Sequence, residues 1–200
     1  MLIAFEGLDQ SGKATQARTL RDRVERDGHT ARLLSFPDYR TPIGKEIEQA
    51  LHGGRDFTPE VMQLLYVANR FEYKTRLDEW LGAGEIVICD RFRASSIAYG
   101  EAQQLDPYWL EDVQRFLPEP AITVLLDIAP ETAVKRKATG RDRYERDLAL
   151  LARVRESYHR QARHHAWVLI DGEQSKDEVT AAVLRAVLPR LARSSAPGRS

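Results

Sequence analysis

The chain has 200 residues, of which 42% are hydrophobic, and its 30 basic and 30 acidic side chains cancel to a formal net charge of zero. This length suffices for one domain with a full core, and the balanced charge argues against a protein that grips nucleic acid by general electrostatics. The single cysteine, Cys89, excludes a disulfide framework and a cysteine-based zinc site. No apolar run approaches the roughly 20 residues that cross a bilayer, and no cleavable signal pattern opens the chain, so we expect a cytoplasmic protein without membrane contact.

Short apolar runs rich in isoleucine, valine and leucine alternate with longer segments of helical periodicity. The runs predict buried strands at 2–6, 31–36, 85–90, 121–128 and 166–171. Helical periodicity between them includes the segments 17–25, 59–80 and 148–159. This alternation predicts an α/β fold, a doubly wound five-stranded parallel sheet with helices on both faces.

The domain boundaries follow from composition. One domain is expected over residues 1–193, followed by a small, polar and disordered tail at 194–200. Two segments, FPDYRTPIG at 36–44 and KRKATGRDRYERD at 135–147, fit neither a strand nor a core helix. Such segments occur as active-site loops and equally as ordinary solvated loops.

The segment GLDQSGKAT, residues 7–15, follows the first predicted strand and matches the pattern G-x-x-x-x-G-K-[ST] except at its last position. In such a turn, backbone N–H groups and a helix N-terminus hold phosphate, and the lysine reaches the outer phosphates. A tight turn could spell the motif by chance, but its place after the first strand of an α/β chain favours a P-loop that binds a nucleotide triphosphate. The residues assigned to this triphosphate loop are Gly7, Leu8, Asp9, Gln10, Ser11, Gly12, Lys13, Ala14 and Thr15.

Ala14 stands where the motif places a hydroxyl that holds magnesium. Thr15 cannot simply replace that hydroxyl, because neighbouring side chains on a helix point about 100° apart. Magnesium would then be held mainly by the phosphates, by water and by a nearby carboxylate. Asp90 is the leading candidate, because it ends a predicted strand and strand carboxyl ends face the same crevice as the loop.

The class of P-loop protein is indicated by what accompanies the loop. The guanine-reading N-K-x-D segment and a D-x-x-G switch are absent from the sequence, which opposes a regulatory GTPase. Phosphoryl transfer between two nucleotides brings roughly six negative charges together, which planar and permanently charged guanidiniums can neutralise. Arginines are spread over the segments expected to be loops or helix ends: Arg70, Arg91, Arg136, Arg141 and Arg143. The last three could also belong to a solvated charged face.

Five segments that span nearly the whole chain resemble the thymidylate kinase family. They are FEGLDQSGKATQ, FPDYRTPIG, LLYVANRFE, DRFRASSIAYG and the lid piece GRDRYERD, and they follow one another at family-like spacings. The resemblance implies a P-loop kinase that phosphorylates dTMP to dTDP with ATP and Mg²⁺, in dTTP synthesis. It also implies a short lid at about 136–147 and a homodimer, with no nucleic acid polymer as partner.

The resemblance assigns roles on the ATP side by position. Lys13 should contact the ATP phosphates, Asp9 should lie near the sugar 3′-hydroxyl and the metal, and Arg136 should lie over adenine. Asp90 should stand beside Arg91 and face magnesium, so Asp90 and Asp9 are the expected metal ligands. The expected catalytic residues are Lys13, Asp9, Arg91 and Arg143, with Arg141 as the substitute for Arg143.

On the dTMP side, the resemblance implies that Tyr66 stacks on thymine and that Arg70 donates to a thymine carbonyl. Tyr99 should lie where a 2′-hydroxyl would point, and Arg91 should clamp the acceptor phosphate. The remaining residues expected at the acceptor are Asp9, Phe36, Pro37, Arg40, and Ser95 or Ser96 at the base edge. Without the resemblance, Tyr66 and Tyr99 also fit core positions, and Arg70 fits a helix-surface salt bridge.

Two departures from the family pattern leave questions open. Several relatives carry an arginine in the phosphate loop where this chain has Gln10, so the lid arginine Arg143 is expected to meet the transferred charge. Some relatives place an arginine at the position of Tyr39, and it stays open whether Arg40 reaches the acceptor phosphate instead. The alternatives are another deoxynucleoside or nucleoside monophosphate kinase, or a non-catalytic nucleotide-binding module, which Ala14 suggests.

Overall fold

The computed structural model describes residues 1–136 and 147–194. Within these residues, five parallel strands form one sheet in the order β2-β3-β1-β4-β5. The strands are β1 (Leu2–Glu6), β2 (Ala31–Ser35), β3 (Ile86–Asp90), β4 (Ile122–Asp127) and β5 (Val168–Asp171). The predicted five-stranded parallel sheet is confirmed, and each strand lies within its predicted segment.

Helices connect the strands and cover both faces of the sheet. In chain order they are α1 (Lys13–Arg26), α2 (Pro42–Leu51), α3 (Pro59–Phe71), α4 (Lys74–Gly82), α5 (Arg93–Ala102), α6 (Pro107–Asp112), α7 (Pro130–Arg136), α8 (Leu148–His165) and α9 (Lys176–Ser194). The single domain over 1–193 remains a prediction. Most of the predicted lid and nearly all of the predicted tail, namely residues 137–146 and 195–200, lie outside the described residues.

β1 lies in the middle of the sheet, and every one of its five residues is buried. Successive side chains of a strand point to opposite faces, so a strand covered on both faces is mainly apolar, as β1 is up to the buried Glu6 at its end. Ile3 and Phe5 join a core cluster with residues of α1 and α9. Leu2 and Ala4 point to the other face, where Cys89 of β3 is fully buried in their cluster.

The predicted helical segment 59–80 is interrupted. α3 ends at Phe71 and α4 begins at Lys74, because the N–H of Tyr73 bonds the Arg70 carbonyl oxygen at 3.0 Å in a tighter turn. The Tyr73 ring packs edge-on against Phe36, and its hydroxyl donates to the Asp38 carboxylate. Contacts with a loop far away in sequence therefore hold the break, and helical periodicity does not reveal them.

The carboxyl ends of β1 and β3 open the crevice in which the predicted site lies. Gly7 directly follows β1 with a φ of +137°, and a Cβ there would lie 2.4 Å from the carbonyl oxygen of Leu126. Only glycine fits this turn, because any side chain would meet the backbone of β4. No helix in the part of the chain that the structure describes combines the length and apolarity needed to cross a membrane.

Candidate active site

The triphosphate loop forms the expected turn from strand to helix. Gly12 precedes α1 in the left-handed conformation with a φ of 96°, and Gln10 adopts a φ of 63°. The buried Lys13 folds back over the loop, where its Nζ donates to the Leu8 carbonyl oxygen at 2.8 Å. Burial, together with the nearby charge of Arg91, lowers the pKa of Lys13 to about 8. The loop therefore holds a poorly solvated cation at the start of a helix, which suits an anionic ligand.

Arg91 is the centre of the site. It follows β3 with a positive φ of 65°, and its side chain is only 12% exposed. One terminal nitrogen, Nη2, donates to Asp9 Oδ1 at 2.6 Å and to the Tyr99 hydroxyl at 3.3 Å. The other, Nη1, donates to Gly7 O, Ser95 Oγ and the Tyr158 hydroxyl at 3.1–3.2 Å. These contacts fix the guanidinium between the loop, α5 and α8.

Asp9 links the loop to the same cluster. Its Oδ1 accepts from Arg91, and its Oδ2 accepts from the Tyr99 hydroxyl at 2.9 Å. Burial favours the neutral acid, but the charges of Arg91 and Lys13 outweigh it and hold the pKa of Asp9 well below its usual range. Asp9 is thus a carboxylate at neutral pH, and one-third of its side chain remains exposed to the crevice.

A fully buried carboxylate, Glu6, supports this cluster from below. It accepts from the Phe92 N–H at 2.8 Å and from Ser95 Oγ at 2.6 Å, with the Tyr158 hydroxyl at 3.3 Å. Burial raises the pKa of Glu6. Neither Glu6 nor Tyr158 is among the site residues predicted from the sequence. A charged residue ending the apolar run LIAFE was the available signal for Glu6, whereas Tyr158 looks like any apolar position of α8.

Arg70 on α3 is buried and points to the start of α5. Its Nη1 donates to the Phe92 carbonyl oxygen at 3.0 Å, and its Nη2 donates to Ser96 Oγ. Burial lowers the pKa of Arg70 to about 10, so the guanidinium stays charged at neutral pH. These contacts do not include the surface salt bridge that the sequence left open for Arg70.

Two adjoining clefts meet at these side chains. The first, the aromatic cleft, is lined by Asp9, Phe36, Pro37, Tyr39, Leu51, Gln63, Tyr66, Arg70, Arg91, Ser95, Ser96 and Tyr99. The second, the loop cleft, is lined by Asp9, Gln10, Gly12, Lys13, Ala14, Thr15, Ser35, Phe36, Pro37, Tyr39, Asp90 and Arg91. Asp9 and Arg91 line both clefts, so they stand at the boundary between them.

Asp90 lies at the end of β3 and faces the loop cleft. Its Oδ2 is 3.5 Å from the Ser35 hydroxyl, while its Oδ1 is buried without a hydrogen-bond partner among the described residues. Ala14 and Thr15 line the same cleft. A carboxylate oxygen that lacks a partner beside a phosphate loop fits Mg²⁺, which takes one or two carboxylates together with substrate phosphates. In the part of the chain that the structure describes, no group of three or more histidine, cysteine or acidic side chains could hold a metal by itself.

Some predicted site residues lie apart from the two clefts. Arg40 is 85% exposed and pairs with Asp38 at 2.7 Å, and it lines neither cleft. Arg136 donates to the carbonyl oxygens of Gln10 and Gly172 at 3.2 and 3.0 Å, so it bridges the triphosphate loop to the turn after β5. Arg141 and Arg143 lie outside the described residues, so the roles expected for them stay predictions.

The site and the fold together define a class of protein. A phosphate loop at the carboxyl end of the central strand, joined to a second cleft by a fixed arginine, is the arrangement of a P-loop kinase that acts on a small acceptor. The comparisons with known proteins agree: the family model described as thymidylate kinase matches residues 5–183.

Individual relatives give the same result. Thymidylate kinase from Homo sapiens is 32% identical over 181 residues, which cover 89% of this chain and 85% of the relative. Probable thymidylate kinase 1 from Saccharolobus solfataricus is 31% identical, with 95% of this chain and 98% of the relative covered. The solved structure of thymidylate kinase from Candida albicans has a TM-score of 0.81 at 28% identity, covering 94% of this chain and 91% of that one. The chain belongs to the thymidylate kinase family, and it is an ATP:dTMP phosphotransferase.

Proposed function

We propose that ATP lies on the triphosphate loop, that dTMP occupies the aromatic cleft, and that the two phosphate groups meet at Arg91. The observation that carries this proposal is that the two clefts share Asp9 and Arg91, and that the Arg91 guanidinium is held in place with its side chain only 12% exposed. The reaction needs no protein nucleophile, because an oxygen of the dTMP 5′-phosphate can attack the γ-phosphorus in line while the bond from that phosphorus to the β–γ bridging oxygen breaks and ADP leaves. The protein then acts through alignment and charge neutralisation.

On the donor side, the backbone N–H groups of the loop and the N-terminus of α1 would hold the ATP phosphates. Lys13 would exchange its hydrogen bond to the Leu8 carbonyl oxygen for bonds to the outer phosphates. Their negative charge would stabilise the ammonium group, which burial has deprived of water. Arg136 already contacts the loop through the Gln10 carbonyl oxygen, and its proposed role is to lie over adenine. Arg143, with Arg141 as the substitute, remains the proposed lid arginine.

On the acceptor side, Tyr66 would stack on thymine and Arg70 would donate to a carbonyl of the base. Ser96 holds the Arg70 guanidinium, whereas Ser95 holds Glu6 and Arg91, so Ser96 is the better placed of the two serines for the base edge. Tyr99 would lie against the sugar, with its hydroxyl fixed by Asp9 at 2.9 Å. Phe36 and Pro37, which line both clefts, would lie where the two clefts join. Arg40 is the weakest of the proposed contacts, because it pairs with Asp38 at the surface.

Mg²⁺ is the proposed metal, with Asp90 as its principal protein ligand and Asp9 close by. The buried Asp90 Oδ1, which lacks a partner among the described residues, supports this assignment. When bound, the metal would neutralise and align the ATP phosphates. Asp9 is already engaged by Arg91 and Tyr99, so Asp90 is the more available ligand.

We also propose that the chain forms a homodimer and that it acts in the cytoplasm. Val61 and Leu64 on α3 are 37% and 45% exposed, and pairing of two chains would cover such apolar side chains. Sedimentation of the purified chain tests the oligomer: a single monomeric species at micromolar concentration would count against pairing. Fractionation of cells that express the tagged chain tests the compartment.

The assignment of base and donor is tested by one assay. Purified protein with ATP and Mg²⁺ should phosphorylate dTMP with a kcat/KM well above those for dUMP, dCMP, dAMP and dGMP. A clear preference for another base would make the chain a different nucleoside monophosphate kinase. Tight ATP binding without turnover, even at high Mg²⁺, would instead show the non-catalytic module that Ala14 suggests.

A further inference from the structure

Gln63 on α3 has a side chain that the packing of the core does not explain. The residue is 1% exposed, yet neither its Oε1 nor its Nε2 has a hydrogen-bond partner among the described residues. An apolar side chain of the same shape would fill this place more favourably, because a buried amide loses its bonds to water and gains none here. Buried polar groups without partners are rare, and each requires an explanation.

The position of Gln63 supplies the explanation. Residues 63, 66 and 70 are spaced by three and four along α3, so their side chains lie on one face of the helix. Gln63, Tyr66 and Arg70 all line the aromatic cleft. The Gln63 side chain also packs over Gly100 of α5, where a Cβ would meet its Cγ at 3.3 Å. The Gln63 side chain therefore lies between α5 and the aromatic cleft.

A thymine ring in this cleft presents an N3–H donor between two carbonyl acceptors, and Arg70 carries only donors. The N3–H therefore needs an acceptor. Ser96 Oγ already accepts from Arg70 and keeps its proton to donate to the base edge, Ser95 Oγ donates to Glu6, and the Asp9 oxygens already accept from Arg91 and Tyr99. Among the described residues that line the cleft, the Gln63 amide is the buried acceptor without a partner.

We infer that Gln63 is a specificity-determining residue that reads the Watson–Crick edge of the base, with Oε1 accepting the N3–H and Nε2 donating to a neighbouring carbonyl. The inference rests on the proposed placement of the base between Tyr66 and Arg70. An amide alone could turn over and pair with cytosine, whose N3 is an acceptor and whose exocyclic group is a donor. Arg70 removes that option, because its guanidinium cannot accept from an amino group. The two residues together select a pyrimidine with a protonated N3 and a flanking carbonyl.

The test combines a protein change with a ligand change. Gln63→Leu should raise the KM and the Kd for dTMP about tenfold or more, while kcat and the KM for ATP stay close to the parent values. N3-methyl-dTMP, which lacks the N3 proton, should bind the parent protein weakly. Its affinity for Gln63→Leu should be no lower than its affinity for the parent protein. Gln49→Leu, the same change on the exposed face of α2, is the matched control and should alter neither nucleotide's KM.

Thermal unfolding separates this role from a structural one. Because Gln63 has no partner to lose, Gln63→Leu should keep or raise the Tm while it weakens dTMP binding. If that variant fails to fold, Gln63→Met, which is closer in volume, carries the same measurements. Unchanged dTMP binding by the variant, or an equal penalty for N3-methylation in both proteins, would overturn the inference.

Arg70→Ala and Tyr66→Ala distinguish a failure here from a failure of the proposed base site. If both variants lose dTMP affinity and Gln63→Leu does not, the base lies in the aromatic cleft and Gln63 does not read it. If none of the three variants loses affinity, the base lies elsewhere and the proposed placement itself is wrong.

Discussion

At the scale of single residues, Arg91 is the side chain that we expect to contribute most to catalysis. Its guanidinium joins the loop, Asp9, α5 and α8 in a fixed position, so it can neutralise phosphate charge without reorganising. Arg91→Ala is expected to lower kcat/KM for dTMP by about 100-fold or more. Arg91→Lys should rescue little, because a lysine cannot reproduce the forked contacts. Steady-state kinetics with both nucleotides measures this.

The control for Arg91 is Arg115→Ala, which removes an arginine that is 60% exposed and pairs with Asp112 on the surface. It should behave as the parent protein. Circular dichroism establishes that each variant keeps its fold. Near-normal turnover of folded Arg91→Ala would exclude the proposed role.

Lys13 predicts a pH dependence of nucleotide binding. Its pKa in the free protein is about 8, lowered by burial and by Arg91, and a bound phosphate would raise that pKa again. Binding must therefore take up a proton wherever the free lysine is neutral. Measured without metal, ATP affinity should fall by up to about tenfold per pH unit above pH 8. Calorimetry in buffers of different ionisation enthalpy reports the proton, and Lys13→Arg, whose charge does not titrate, should remove the slope.

Ala14 predicts a weak metal site on the loop side. The residue is exposed in the loop cleft, near Asp90, and offers no hydroxyl. Ala14→Ser should therefore lower the Kd for Mn²⁺, used as a spectroscopic substitute for Mg²⁺, in the presence of ADP. Paramagnetic resonance of free Mn²⁺ measures it. Ala14→Gly is the control, and equal Mn²⁺ affinities for the serine and glycine variants would show that position 14 does not reach the metal.

At the scale of elements, α8 connects the predicted lid to Arg91. The helix begins at Leu148, directly after the predicted lid, and its Tyr158 hydroxyl contacts Arg91, Ser95 and Glu6 at 2.8–3.3 Å. Tyr158→Phe keeps the buried ring and removes only these contacts. We expect the KM for dTMP to rise about three- to tenfold, with the KM for ATP nearly unchanged, because Arg91 loses one of its supports.

Tyr108→Phe is the matched control for Tyr158, since Tyr108 is 80% exposed on α6. Equal increases in the two KM values for Tyr158→Phe would indicate a general disturbance of the crevice. Parent-like kinetics would show that Arg91 does not depend on α8.

Some of the helices and strands could be predicted from the sequence, and others could not. Strands such as LIAFE and IVICD were predictable, because a strand buried on both faces is apolar along most of its length, here up to the acidic residue that ends it. The start of α1 at Lys13 was predictable from the loop motif. The break between α3 and α4 was not, because it depends on Tyr73 packing against Phe36 and Asp38, more than thirty residues away. Local periodicity contains no information on such contacts.

At the scale of the whole molecule, the sequence pointed to most of the residues that line the two clefts but not to how they support one another. Short motifs reveal Lys13 and Arg91, because loop and turn chemistry is local. Glu6 and Gln63 lie within apolar segments and become informative only when their burial and hydrogen bonding are known. Arg40 sits inside a motif, yet the fold turns it outward toward Asp38. The meeting of two clefts at one arginine is a property of the assembled sheet.

We propose that one nucleotide lies on the triphosphate loop while a second lies in the aromatic cleft, with their phosphates meeting at Arg91. A crystal structure of the protein with dTMP, a non-hydrolysable ATP analogue and Mg²⁺ tests it most directly. We expect thymine between Tyr66 and Arg70, the triphosphate along residues 7–15, and the dTMP phosphate on the Arg91 guanidinium. A dTMP phosphate that is bound away from Arg91, or a triphosphate that does not contact the loop, would contradict it.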